Sequence, residues 1–230
     1  GCAEWGRRLQ VAAKKVAGSI PVAASQAVGG FDPLRATQLA KLAAAAPCSA
    51  SALEGGKVDL GEAASPRVVA AASGDATALV ARVADGVVVT LRSSIVSEAL
   101  ADDAELVSLE ACAECKVNKA LAAEWATLRA PLVAALAAQP HKVTVTGHGA
   151  SAALATLAAL DLAEAGVPVA ELVTFGEPRV GNPAFAAYYE DSAVYPHFRV
   201  THGRDPVVHA PSASAGFAHV GREVFFNKAS

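Results

Sequence analysis

The residues best placed to do chemistry lie where a short apolar strand, 143–146, runs into Gly147-His148-Gly149 and a helix starting at Ala150. Strand, tight turn and helix in that order form a nucleophile elbow. There a serine is raised above the sheet edge, and the next residue's N–H faces the oxyanion. The residue at the tip of this turn is Gly149, which has no hydroxyl to offer. Ser151 does not replace it: two residues along a helix is about 200° of rotation and about 3 Å of rise, which sends its side chain elsewhere. His148 reads as a core histidine. Asp205, His209 and His219 have metal-ligand types without supporting spacing, so no metal is assigned, and no motif calls for a cofactor. Cys112-x-x-Cys115 has three readings: a redox pair, half a zinc site or a local disulfide. No second CxxC follows, and the pair falls in a polar stretch ahead of a helix, so the disulfide is preferred. It implies an oxidising compartment.

These residues need a scaffold, and the hydrophobic pattern supplies one. Asp32-Pro33 is a helix start, with Asp as N-cap and Pro in the first helical position, for a helix reaching about Ala46. Residues 49–65 are small, polar and Gly-rich and read as loop. Two β-branched runs between 77 and 91 flank Asp85-Gly86, a hairpin signal. Residues 92–118 read as irregular. A helix is expected over 119–139, kinked or restarted at Pro131. After the elbow come a helix to about Ala165, a strand at 171–175, a short helix at 183–189, a strand at 198–201 and a last strand within 220–226. Strands alternating with helices after a hairpin define an α/β chain with a mostly parallel central sheet and helices on both faces.

Composition narrows the function classes. Of 230 residues, 53 % are hydrophobic and 18 % charged, which excludes a disordered chain. A formal net charge of −3 gives no nucleic-acid footprint. The basic group Arg7, Arg8, Lys14 and Lys15 reads as the solvated face of an N-terminal helix. No apolar run approaches the roughly 20 residues that cross a bilayer: the longest, 152–175, is interrupted by Asp161, Glu164 and Glu171. No transmembrane segment is therefore expected. The chain opens Gly1-Cys2 and contains no methionine, which reads as a mature chain after removal of a leader.

The stretch from Val143 to Leu157, V-T-V-T-G-H-G-A-S-A-A-L-A-T-L, resembles the V-T-G-H-S-L-G-G-A-L-A-T-L of the class 3 (fungal-type) lipases without a gap. Gly149 then stands at the family's nucleophile, and Ala150, Ser151 and Ala152 replace L-G-G. Thr174-Phe175-Gly176-Glu177-Pro178-Arg179-Val180-Gly181-Asn182 is similar to the family's T-F-G-x-P-R-V-G-N. The segment 198–207 looks like the one carrying the catalytic aspartate, which implies that role for Asp205. Gly216-Phe217-Ala218-His219 looks like the segment carrying the catalytic histidine, which implies His219. Leu91-Arg92-Ser93-Ser94 resembles F-R-G-S/T and implies oxyanion donors at Ser94 and Ala150. Cys112 and Cys115 match a CxxC bridge of some fungal members, and 42–48 resembles the family's alanine-rich helix end with its cysteine.

Three departures surround the site. Residues 95–105, where the family carries an apolar lid, are acidic and lack its tryptophan. Val117-Asn118-Lys119-Ala120-Leu121 stands for V-H-x-G-F, and Leu91 and Ser93 depart from F-R-G-S/T. The resemblance implies an α/β-hydrolase fold over 31–230, with 1–30 as an N-terminal extension of helix plus loop. It also implies a secreted or organelle-lumen setting. The expectation is a pseudoenzyme: a lipase-like protein without its nucleophile, with Asp205 and His219 left as a vestigial hydrogen-bonded pair. Its role would be structural or interactive, through residues 1–30 or the altered lid region. Two other readings stay open, ester hydrolysis by a non-standard nucleophile and lipid binding in the vestigial acyl groove.

Overall fold

The structure, a computed structural model, describes residues 30–46, 64–70, 76–137 and 142–227. The expected N-terminal extension, Cys2 and Cys48 fall outside those residues. Helix α1 (Pro33–Ala45) starts as its sequence demands, Asp32 accepting from the N–H groups of Leu34 at 2.9 Å and Arg35 at 3.2 Å. Strands β1 (Ala64–Ala70), β2 (Thr77–Val83) and β3 (Gly86–Arg92) form an antiparallel meander. β6 (Val143–His148), β7 (Val169–Phe175), β8 (His197–His202) and β9 (Arg222–Phe226) continue the sheet in parallel with β3. The seven strands run in the order β1-β2-β3-β6-β7-β8-β9.

The sheet is buried on both sides, which is why residues 143–147 of β6 and 197–201 of β8 are buried without a break, polar ones included. Val87, Val89, Leu91, Val143, Val145 and Leu172 face the layer of α3 (Lys119–Ala137) and α4 (Ala150–Glu164). Val88, Val173, Phe175, Phe198 and Val200 face α1, where Phe31 meets Phe198 edge-on. Every residue of α4 from Ala152 to Leu160 is buried. This is the mostly parallel, helix-covered sheet expected of an α/β-hydrolase.

Several local expectations are corrected. Residues 92–118 are not irregular: they form a short helix, α2 (Val96–Leu100), and a hairpin of β4 (Leu106–Leu109) and β5 (Cys112–Asn118). In β5, Cys115 and Val117 are buried while Glu114 and Lys116 are exposed, a period-two pattern that the bulge beside Ser108/Leu109 interrupts. Strand β1 occupies a stretch read partly as loop and otherwise left unassigned. Pro131 does not restart α3, which is one helix with Leu121, Leu128, Leu132 and Leu136 buried on both sides of the proline. Among the described residues α3 is also the one helix long and apolar enough, by length and composition alone, to cross a membrane. Its leucines pack into the core with those of α4.

Candidate active site at the strand ends

Parallel strands bring their C-terminal ends to one edge, the place where open α/β sheets bind ligands. The register pairs Thr90 with Thr146, His148 with Phe175, Phe175 with Val200 and His202 with Phe226. Ser93–Ser94, Gly149, Gly176 and Asp205 each follow one of these ends, so the fold alone collects them.

The elbow forms as expected. Gly149 has φ 59° and ψ −132°, a backbone that favours glycine and strains other residues. Its N–H donates to Phe175 O at 2.9 Å and its carbonyl accepts from Ala152 N at 2.8 Å. Ala150 opens α4, where its N–H has no intrahelical acceptor. The site for a side chain at 149 is open, with nothing within 4 Å of an added Cβ. The strand beneath is the opposite case. A Cβ on Gly147 would lie 2.4 Å from Ser151 O, so glycine is what lets β6 turn into α4.

The remaining members make other hydrogen bonds than those expected. Asp205 is half-buried; its Oδ1 accepts from Val207 N at 2.9 Å, and its Oδ2 lies against Gly176 beside His148. Burial lowers the pKa of His148, with the Asp205 charge pulling the other way. The expected Asp205–His219 hydrogen bond is absent. His219 Nε2 lies 2.7 Å from Val208 O instead, and its Nδ1 is buried without a partner. That geometry selects the neutral tautomer with the proton on Nε2. Burial first, then the Arg199 charge, push His219 down to about 4. Ser94 is not available as an oxyanion donor either. Its N–H and its hydroxyl both donate to Glu124 Oε1, each at 2.7 Å. The hydroxyl of Ser151 accepts from Ser93 N at 2.9 Å, tying this loop to the first turn of α4.

A depressed histidine makes folding pH-dependent in a defined window. Between pH 6.5 and about 4 the unfolded chain binds more protons at residue 219 than the folded one, so stability falls as pH drops through that range. His219→Gln retains a donor for Val208 O without titrating. Its melting temperature should therefore decline less steeply than that of the parent from pH 6.5 to 4, as read by circular dichroism. Equal slopes would show that residue 219 carries no such linkage.

The long motif following β7 is revealed as scaffolding, which its sequence did not disclose. Glu177 is fully buried and accepts from Thr156 Oγ1 at 2.9 Å and Thr174 Oγ1 at 2.5 Å. Its Oε2 also lies 3.0 Å from His197 Nε2, and His197 Nδ1 lies 3.0 Å from the Tyr189 hydroxyl. Burial alone would raise the carboxyl pKa. The charge and hydrogen bond of His197, with Thr174 and Arg199, outweigh it and hold the group below its ordinary value. Arg179 Nη1 donates to the carbonyls of His209 and Pro211, which fixes the segment after Asp205. Asn182 Oδ1 accepts from Lys116 N, and Nδ2 donates to Glu114 O, each at 2.9 Å, docking β5 on α5 (Pro183–Ser192). Cys112 and Cys115 are disulfide-bonded within β5 rather than in a loop. Among the described residues no cluster of three His, Cys, Asp or Glu side chains could hold a metal.

A mostly parallel sheet with a strained elbow at its strand ends defines an α/β-hydrolase. The family model for class 3 lipases matches residues 88–215, more than half of the chain, and the protein belongs to that family. Secreted mono- and diacylglycerol lipase A of Penicillium cyclopium is 38 % identical over 117 residues, covering 49 % of this chain and 38 % of that protein. The chain thus spans less than two thirds of the curated relatives it matches. The crystal structure of a lipase from Rhizopus microsporus var. chinensis aligns with a TM-score of 0.71 at 28 % identity, covering 84 % of this chain and 73 % of that one. A triacylglycerol lipase, described as having a serine protease triad for its catalytic centre, aligns at 0.67 and 29 % identity over 84 % and 79 % of the two chains.

Proposed function

We propose that this protein is a class 3 lipase scaffold that has given up ester hydrolysis and works as a structural or protein-interaction component. One observation carries the reading: the residue at the tip of the elbow, in the strained conformation of a nucleophile, is Gly149. Triad chemistry needs a hydroxyl to attack and an imidazole to take its proton. Here the hydroxyl is missing and His219 is engaged with Val208 O. The occupied donors of Ser94 support the same conclusion. The Cys112–Cys115 disulfide and the secreted relative favour an oxidising compartment. Partner contacts in this reading run through residues 1–30 or through the altered lid region, 95–105.

A second reading has support in the relatives, which are named as lipases: ester hydrolysis by another nucleophile. The two separate cleanly. Purified protein should hydrolyse p-nitrophenyl butyrate no faster than buffer and should gain no mass on treatment with a serine-directed phosphonate. Turnover at enzymatic rates, lost on phosphonate treatment, would overturn the non-catalytic reading.

A further inference from the structure

We propose that Glu124 is a built-in anion: its carboxylate fills the donor pair of Ser94 and keeps carboxylates and tetrahedral oxyanions out of the mouth of the elbow. Ser94 follows β3, whose end lies beside that of β6, and its neighbour Ser93 is bonded to Ser151 on the first turn of α4. Ser94 thus follows directly on a residue tied to the first turn of α4, whose N-terminus favours negative charge. Glu124 reaches them from α3, thirty residues away in sequence, and Oε1 takes both donors at 2.7 Å. The side chain is buried, yet Oε2 has no hydrogen-bond partner. A carboxylate oxygen left unpaired in the interior is costly, so the doubly bonded Oε1 must hold the group in place. Anything anionic that enters meets donors already taken and a negative charge beside them.

The inference deepens the non-catalytic reading and rests on it for the placement of Ser94 at the elbow. It adds that the site is closed twice, by a missing hydroxyl and by an occupied anion subsite. A serine at 149 would therefore not restore the family's chemistry while Glu124 remains.

Acetate, the smallest carboxylate, tests the subsite without requiring catalysis. In ¹⁵N-labelled parent protein the Ser94 amide signal should not respond to acetate up to tens of millimolar. In Glu124→Ala it should move saturably, while signals remote from α3 and the elbow keep their positions. Glu124→Gln, which retains an acceptor for both donors, should behave like the parent. Glu124→Ser repeats the measurement with a polar residue should alanine unfold the chain. A Ser94 amide that responds equally in parent and Glu124→Ala, or in neither, overturns the proposal. A second arm compares phosphonylation of Gly149→Ser with that of Gly149→Ser/Glu124→Ala. Freeing the donors should accelerate labelling on the order of 10²-fold, the size of one oxyanion donor's effect. If acetate binds Glu124→Ala but neither serine variant is labelled, Glu124 stands as the built-in anion, and His219, held on Val208 O, is what withholds the general base from a serine at 149.

Discussion

Replacing Glu177 with alanine should destabilise the protein by about 3–5 kcal/mol, the loss expected when several buried polar groups lose their common hydrogen-bond partner. The side chain is 1 % exposed, so no water is at hand to take over its hydrogen bonds. Thr156, Thr174 and His197 converge on its two oxygens, and His197 in turn meets Tyr189. Alanine would leave a cavity ringed by unpaired polar groups, each costing about 1–3 kcal/mol when buried. Glu177→Gln preserves the shape and part of the bonding, and it should lose less. Since His197 and its neighbours hold the Glu177 carboxyl below its ordinary value, the advantage of glutamate over glutamine is present above the unfolded pKa. It disappears as pH falls from about 4.3 through the lower folded value. Urea denaturation of the three proteins at pH 7 and pH 3.5 checks both statements. An alanine variant within 1 kcal/mol of the parent at pH 7 would mean the network is not the keystone of the β7–β8 layer.

Features written in neighbouring residues were legible in the sequence. Asp32-Pro33 starts a helix because cap and first-turn proline are adjacent, and Asp85-Gly86 closes a hairpin for an equally local reason. The elbow was legible too, since its strand, glycine and helix are contiguous. What escaped depends on distant partners. The β4–β5 hairpin has a period-two pattern only from Cys115 to Val117, broken by its bulge, and it gains order from Asn182 of another element. Ser94 looked like an oxyanion donor because nothing near it shows that a glutamate thirty residues on accepts both of its protons. His219 was paired with Asp205 because each falls in a segment resembling one that carries a catalytic residue of the family. The backbone instead places Val208 O against its ring. Residue types and spacing identify the family of a site, while the pairing of its polar atoms is decided by three-dimensional contacts.

The two elbow glycines should respond to alanine in different ways, and the contrast tests the geometry of the turn. In Gly147→Ala the new methyl would meet only backbone: Ser151 O at 2.4 Å, Ser151 C at 2.7 Å and Ala152 N at 2.9 Å. No rotamer change relieves that clash. Either β6 or the first turn of α4 must move, and both are locked by buried packing. Overpacking of this kind costs about 1–3 kcal/mol and occasionally more, and a contact with rigid backbone belongs at the upper end. Gly149→Ala meets nothing within 4 Å, so its penalty is conformational alone, from φ +59°. That backbone costs a non-glycine residue about 1–3 kcal/mol. Gly147→Ala should accordingly melt at a lower temperature than Gly149→Ala. It should also perturb the Ser93 amide, whose acceptor Ser151 is carried on the displaced turn. Gly149→Ala should leave that amide where it is. If Gly149→Ala were the more damaging change, residue 149 would have to lie in a crowded interior, and the open tip of the elbow would be misplaced.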